Sequence, residues 1–352
     1  MSDIHHAKGP TTFTAILERF GNEKDSKHVR SSEGKELYVH KGKPSGHGEK
    51  ASKSRAIKQE EGAKKVKEAI AREYGPKVVE LVFGSGKLKG DLNKGVTVSD
   101  LKAIKTLIDT DHDIRSVRKT QQYIERNSDM LDFIKGEIKS TKQIQTFLRG
   151  NAKEGAIVNE HLKDTAGEHF EKTCTMLKFS IDHGGVSAMR DDDVAKLKPQ
   201  ERDGAVKRSL DNFNKAMTAF IGGTDPTSIK KAAAEVPREY CDLLATAYYT
   251  IENDKSLDST QKLEMQKIIF ANFGALRLIN PTLLSGNDDM SPSGKMALRD
   301  LAKQIQNVCN GVKFGAKESI ANRDEMNKLI DQWAPAYQAF MLELVARGRP
   351  IV

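Results

Sequence analysis

The chain has 352 residues, 38% apolar and 30% charged, so it is long enough for one large or two moderate domains with a sizeable core. It has no run of about 18 uncharged apolar residues and no apolar secretory signal, so we expect neither a membrane span nor a Sec leader. The net charge is +8, and residues 1–70 hold 15 Lys/Arg against 10 Asp/Glu. This surplus favours a solvated basic tail; attraction to nucleic acid or anionic lipid is the alternative.

Residues 1–55 are predicted to be a disordered or weakly structured basic leader. Ser31 to Ser54 is rich in Lys, Gly, Ser and His, a composition that buries too little apolar surface to offset chain entropy. A short amphipathic stretch, Phe13 to Phe20, predicts one helix inside this leader. The rest of the chain, 56–352, is predicted to form a helical domain.

The helical pattern begins at Ala56, and a first helix is expected to end near Gly75 and Pro76. Val78 to Phe83 fits either a strand or a buried helical turn. Val98 opens another helix, with Ser99 or Asp100 as its cap. A long helix is predicted from Asp113 to Phe147. Further helices are predicted at 153–183, 201–222, 237–253, 258–279, 293–314 and 321–347.

Turn signals separate these later helices at Asp225-Pro226, Gly286-Asn287 and Ser291 to Gly294. Pro281 is expected to kink or end its helix because proline has no backbone N–H. No strand–helix alternation is present, and the fold class predicted is therefore all-α. Trp333 lies in an apolar helical pattern and is expected in the core or at an interface.

Several motifs are weak evidence for chemistry. The sequence Gly84-Ser-Gly-Lys87 lacks the glycine that a phosphate loop needs at position 81, where Leu81 stands. The run from Asp191 to Asp193 is interpreted as a solvated first helical turn, because consecutive helical residues do not share a face. The three cysteines are scattered, which predicts a reducing compartment and no disulfide framework, and no Cys/His group has the spacing of a zinc site.

Three segments occur in a fixed order along the helical part. They are Thr146-Phe-Leu-Arg-Gly-Asn151, Phe273-Gly-Ala-Leu-Arg-Leu-Ile-Asn-Pro-Thr-Leu-Leu284 and Leu301-Ala-Lys-Gln-Ile-Gln-Asn-Val-Cys-Asn-Gly-Val-Lys-Phe-Gly-Ala-Lys-Glu318. Together they resemble the three characteristic motifs of Ras GTPase-activating protein domains. The resemblance covers roughly residues 70–345 and implies an elongated multi-helix domain. We call the three segments the first, second and third blocks.

The resemblance implies that the protein stimulates GTP hydrolysis by a GTP-bound Ras-family GTPase. Arg149 would be the arginine finger inserted in trans, and Arg277 would hold the finger loop through its backbone carbonyls. GTP and magnesium would belong to the partner, so no hydrolysis of free GTP is expected. The implied partner-binding residues are Phe147, Leu148, Gly150, Asn151, Leu276, Pro281, Lys303, Gln306, Asn307, Asn310, Lys317 and Glu318.

Arginine suits the predicted finger role because its planar guanidinium bridges two phosphate oxygens and keeps its charge when desolvated. Lys303 and Asn310 are seven residues apart and share a helix face, and Gly315 is expected to end their helix. Gln306 and Asn307 are alternatively expected to secure local backbone.

The chain departs from the family pattern directly after the finger, where Ala152-Lys-Glu-Gly-Ala156 replaces the usual Ser-Leu-Ala-Thr. A non-catalytic GTPase-binding module of the same fold is therefore the alternative function. A cytoplasmic location is expected, including the cytosol of a host cell if the protein is a delivered bacterial effector. Neither the GTPase nor the oligomeric state follows from the sequence.

Overall fold

The computed structural model describes residues 12–21, 29–30, 36–37, 63–84, 86, 88, 98–141, 143–144, 147–148 and 152–351. Helices make up nearly all of these residues, which confirms the all-α class. The strands among them are Val29–Arg30 (β1) and Glu36–Leu37 (β2), which pair antiparallel. The chain divides into two compact units, one up to Ile124 and one from Glu125 onward.

The first unit is a small helical cluster. It contains α1 (Phe13–Gly21), α2 (63–74), α3 (Pro76–Gly84), α4 (Val98–Thr110) and the first part of α5 (His112–Ser140). Fully buried side chains of these helices form its core, among them Phe13, Ile70, Val78, Ile104 and Ile108. The segment predicted as a leader therefore contributes one helix to a packed core.

Contacts at the start of α1 and the end of α2 show how this unit is held together. The backbone N–H of Thr14 donates to the Glu73 carboxylate over 2.7 Å, and the ring of Phe13 meets Tyr74 edge-on. Gly75 separates α2 from α3 with φ +85°, a backbone conformation that glycine adopts without strain. The predicted end near Gly75 and Pro76 is confirmed, and Val78 to Phe83 is helical.

The second unit contains the rest of α5 and the helices that follow. These are α6 (Ala152–His183), α7 (Asp191–Ala195), α8 (Pro199–Ile221), α9 (Pro226–Glu235), α10 (Arg238–Glu252), α11 (Ser259–Phe270), a π-helical segment (Ala271–Ile279), α12 (Asn280–Leu284), α13 (Pro292–Asn310) and α14 (Arg323–Arg347). They enclose one large apolar core. Trp333 lies in that core and donates from Nε1 to Asn214 Oδ1 over 2.8 Å, which confirms its predicted burial.

Local capping explains where several of these helices begin. Asp225 caps α9 by accepting hydrogen bonds from Thr227 and Ser228, and Asp258 caps α11 in a reciprocal capping box with Gln261. Each such cap contributes about 1 kcal/mol. The helix α9 was not predicted, because Asp225-Pro226 indicated only a turn, although Asp followed by Pro is the usual order at a helix start.

Two predicted helix ends are wrong. The helix α5 ends at Ser140 and not at Phe147, and the Glu137 carbonyl in its last turn accepts both the N–H and the hydroxyl of Thr141. The helix α13 ends at Asn310, because Gly311 takes the left-handed conformation with φ +63°. The predicted end at Gly315 therefore comes four residues too late.

The start of α4 also differs from the prediction. The helix already includes Val98, so Ser99 and Asp100 lie in its first turn and are not its cap. Asp100 still suits this position, because a negative charge in the first turn interacts favourably with the helix dipole.

Pro281 does not end its helix. The helical path runs from α11 through the π-helical segment and α12 to Leu284, with Pro281 in the first turn of α12. Tyr337 of α14 accounts for the π-helical segment. Its hydroxyl donates to the Phe270 carbonyl over 2.6 Å, so it enters the hydrogen-bond ladder of the helix. Gly274 leaves space for that hydroxyl, since a Cβ there would clash with it.

We predict that Tyr337→Phe lowers the free energy of unfolding by about 1–3 kcal/mol, because the Phe270 carbonyl loses a buried hydrogen-bond donor. Urea unfolding measures the change. The control is Tyr249→Phe, at a half-buried position, which we expect to stay within about 0.5 kcal/mol of wild type. Equal effects of the two substitutions would contradict the role given to the Tyr337 hydroxyl.

All three cysteines are buried as free thiols. Burial raises the pKa of Cys174 and of Cys309 to about 12, and it raises the pKa of Cys241 although Arg347 opposes the shift. At pH 8 a thiol of pKa about 12 is ionised in only ~10⁻⁴ of molecules, and the thiolate is the reactive form. We predict no reaction of the native protein with Ellman's reagent over minutes, and three equivalents in denaturant. Rapid labelling of the native protein would be inconsistent with this core.

None of the described helices combines the length and the apolar character that crossing a bilayer requires.

Candidate functional site

The first block enters the core just before the predicted finger. Phe147 is 1% exposed and Leu148 is 7% exposed. Leu148 has φ +64°, which is uncommon for a residue with a side chain and costs about 1–2 kcal/mol. The N–H of Phe147 bonds to the Ile144 carbonyl over 3.0 Å. The chain is thus anchored in a strained turn one residue before Arg149.

Arg149, Gly150 and Asn151 lie outside the described residues. The helix α6 begins directly after them, at Ala152. Their placement in a finger loop stays a prediction, between a described anchor on one side and a described helix on the other.

Arg277 of the second block binds the beginning of α6. Its Nη1 donates to the Gly155 carbonyl over 3.1 Å and to Asn159 Oδ1. Gly155 has no side chain, and a Cβ at this position would lie 3.8 Å from Arg277 Nη1 and 3.9 Å from Phe133 Cε2. Arg277, α5 and α6 therefore meet within van der Waals distance, two turns or less from the predicted finger.

The electrostatic surroundings of Arg277 have two opposing parts. Burial lowers the pKa of its guanidinium, and the nearby Glu137 carboxylate raises that pKa. The acceptor is the Gly155 carbonyl, whereas the resemblance implied a carbonyl of the finger loop itself. Arg277 consequently fixes the helix that follows the finger, and any bond to the finger's own backbone lies outside the described residues.

The second block connects to the third through Asn280. Its Nδ2 donates to the Ala302 carbonyl of α13 over 3.2 Å. The other residues predicted for this block differ in exposure: Leu276 is half-buried and Pro281 is exposed. The described contacts join the second block to the beginning of α6, directly after the first block, and to the third block.

The helix α13 presents one polar face and buries the other. Lys303 and Gln306 are half-buried and Asn310 is exposed, so they share the outer face as predicted from their spacing. Asn307 is 4% exposed and is part of the inner face. Its carbonyl accepts the N–H groups of Gly311 and Val312 and so closes the helix end.

Asn310 uses its amide within its own helix. The Nδ2 group donates to the Gln306 carbonyl over 2.9 Å, while the Asn310 side chain remains exposed. The local backbone role expected of Gln306 is thus performed by its carbonyl. The outer face of α13 also carries Arg299, which is exposed one turn before Lys303 and adds positive charge to this surface.

The end of the third block is an exposed turn held at its base. Phe314 is buried, and Asn327 of α14 bonds both its N–H and its carbonyl, over 2.9 and 3.1 Å. Lys317 and Glu318 are exposed, and Glu318 accepts the Gly315 N–H over 2.8 Å. They line an open cleft of about 440 Å³ together with Asp191 and Arg323.

Sequence reasoning missed the buried polar residues that hold these blocks. Gln304 is 1% exposed and donates to Ser209 Oγ over 3.1 Å. Asn159 receives Arg277, and Asp300 accepts the Met189 N–H over 3.2 Å. The apolar spacing of Leu301, Ile305 and Val308 places Gln304 on the buried face, a signal that was present in the sequence; Asn159 had none.

Compared with known proteins, the chain matches no protein-family model, and no curated protein is significantly similar to it in sequence. The properties of this site are therefore inferred from its geometry alone. It combines an anchored turn, an arginine that fixes the next helix, and a polar, partly basic helix face suited to an acidic protein surface.

Proposed function

We propose that this protein is a GTPase-activating protein of the Ras type, and that Arg149 is inserted into the nucleotide site of a GTP-bound Ras-family GTPase. GTP and magnesium are supplied by that partner, and the protein needs no cofactor. The cytosol is the proposed location, since GTPases of this class act there, and a host cytosol applies if the protein is delivered by a bacterium.

One observation supports the proposal most strongly. Arg277, taken from a different block than Arg149, donates to the first turns of the helix that begins three residues after Arg149. A finger must enter a foreign pocket with little loss of order, and a rigid helix directly behind it reduces that entropic cost. The turn at Leu148 fixes the other side of the segment.

The chemical role of the finger is electrostatic. Charge builds on the phosphate oxygens in the transition state, and a guanidinium that reaches them stabilises this state more than the ground state. Fingers of this kind contribute about 10³–10⁵ to the rate in Ras-type GTPases. That range corresponds to roughly 4–7 kcal/mol of barrier.

The partner would contact the outer face of α13 and the turn after it. We assign this contact to Lys303, Gln306 and Asn310 on the helix and to Lys317 and Glu318 in the turn. Asn307, which is buried, acts instead by closing the helix end, and Phe147, Leu148 and Leu276 support the segment from inside. Gly150, Asn151 and Pro281 remain proposed contacts beside the finger.

The experiment is single-turnover GTP hydrolysis by a panel of Ras-, Rap- and Rho-class GTPases, with and without the protein. We expect strong stimulation of at least one Ras- or Rap-class member and no hydrolysis of free GTP. A panel on which the protein stimulates nothing would contradict the proposal.

A non-catalytic binding module is the second candidate, favoured by the unusual residues after Arg149. It would bind a GTP-loaded GTPase without accelerating hydrolysis. Pull-down with GTP-analogue-loaded and GDP-loaded GTPases, run beside the hydrolysis panel, separates the two: GTP-dependent binding without stimulation selects the module.

A further inference from the structure

Glu137 is a buried carboxylate near the end of α5. Glu137 is only 2% exposed, and its Oε1 has no hydrogen-bond partner among the described residues. Burying an ionised carboxylate with a free acceptor is costly unless a positive charge compensates it.

The geometry points to Arg277. Phe133 lies one turn before Glu137 on α5, so the two residues share a helix face. A Cβ placed on Gly155 would lie 3.9 Å from the Phe133 ring and 3.8 Å from the Arg277 guanidinium, so both side chains approach Gly155. The face that carries Glu137 is therefore directed toward Arg277.

Arg277 has donors to spare. Its two hydrogen bonds to described residues both come from Nη1 and go to uncharged oxygens, of Gly155 and Asn159. An arginine has five N–H donors. A half-buried guanidinium and a buried carboxylate are complementary in charge, and Glu137 acts on Arg277 as a nearby charge and not through a direct hydrogen bond.

We propose that Glu137 is a positioning residue: its buried carboxylate is the counter-charge of Arg277 and holds that side chain on the first turns of α6. Three elements then form one support. The helix α5 supplies the Glu137 carboxylate, the π-helical segment supplies the Arg277 guanidinium, and α6 supplies the Gly155 carbonyl. The functional consequence, a correctly presented Arg149, rests on the proposed function.

A double-mutant cycle tests the charge pair without reference to activity. The variants are Glu137→Gln, Arg277→Gln and both together, and the readout is the folding equilibrium constant from urea unfolding. We expect the folding equilibrium constant of the double variant to be roughly tenfold larger than the two single effects multiplied together would give. This factor corresponds to about 1.4 kcal/mol of coupling. Coupling below about twofold would overturn the pair.

The matched control is Glu125→Gln, an exposed glutamate on the same helix, which should show no coupling to Arg277. If Glu137→Gln fails to fold, Glu137→Asp is compared with the wild type instead, and loss of folding in that variant as well would overturn the role of the charge. The shorter carboxylate keeps the charge, so it should retain more stability than glutamine does.

Hydrogen exchange tests the positioning role directly. We expect Glu137→Gln to raise exchange of the backbone amides of residues 155–160 by at least roughly tenfold relative to Glu125→Gln, with Glu137→Asp in between. Unchanged exchange at the start of α6 would show that Glu137 does not position that helix.

The functional arm uses a GTPase that the wild type stimulates. There, Glu137→Gln should lower kcat roughly tenfold with KM within about threefold, because the support acts on the finger and not on partner contact. Unchanged kcat with intact thermodynamic coupling would overturn the functional role. If the wild type stimulates no GTPase, the proposed function fails, while the cycle and the exchange data still decide the pair.

Discussion

Replacing Arg149 by alanine should lower stimulated GTP hydrolysis by at least roughly 10²-fold under single-turnover conditions. The expected loss lies below the full value of an arginine finger because the contacts proposed for α13 would still position the GTPase. Arg149→Lys should be nearly as inactive, since a point charge on a flexible stem does not bridge two phosphate oxygens.

The control for this prediction is Arg115→Ala. Arg115 is an exposed arginine on α5 and should leave stimulation and stability unchanged. Arg149→Ala should also leave the urea midpoint unchanged, so that its effect is catalytic and not structural. An alanine variant as active as the wild type would show that Arg149 is not the finger.

Replacing Arg277 by alanine should have the second-largest effect, on both stability and activity. The Gly155 carbonyl and Asn159 Oδ1 lose their donor, and Glu137 loses its nearby positive charge. We expect the free energy of unfolding to fall by about 2–4 kcal/mol. Stimulation should fall roughly 10–100-fold at temperatures where the variant is still folded.

The matched control for Arg277 is Arg202→Ala. Arg202 also donates to backbone carbonyls, of Leu197 and Ala195, but it belongs to α8. We expect this variant to lose some stability and to keep its stimulation of the GTPase. Equal losses of stimulation in both variants would mean that Arg277 acts only through global stability.

The helical architecture was largely predictable because its signal is local. The 3.6-residue spacing of apolar side chains located α6, α8, α10 and α14 to within two residues. Errors occurred where a single backbone event decides the outcome. The helix α5 ends at Ser140, where the Thr141 hydroxyl bonds back to Glu137, and the left-handed Gly311 ends α13.

The π-helical segment was not predictable from the local sequence. It depends on the Tyr337 hydroxyl, 67 residues away from the Phe270 carbonyl that it contacts. The same holds for Asn159, which is 118 residues from Arg277. Such partners are defined by tertiary packing, which no spacing rule within one helix contains.

The sequence thus predicted the position of some site residues correctly and of others not. Spacing placed Lys303 and Asn310 on one outer face correctly, but it gave no sign that Asn307 is buried. The importance of Arg149 came only from its resemblance to a family motif. The contacts of Phe147, Leu148 and Arg277 describe the support around that residue.

The most direct test of an arginine supplied in trans is binding to the transition-state mimic. Aluminium fluoride bound beside GDP in a GTPase resembles the phosphoryl group in transfer. An activator that stabilises the transition state therefore binds this form of the GTPase most tightly. We predict a stable complex with a stimulated GTPase in the presence of aluminium fluoride. Arg149→Ala should lose that complex while still binding the GTP-analogue form. Equal binding of wild type and Arg149→Ala to the mimic, or no complex with either, would contradict the account.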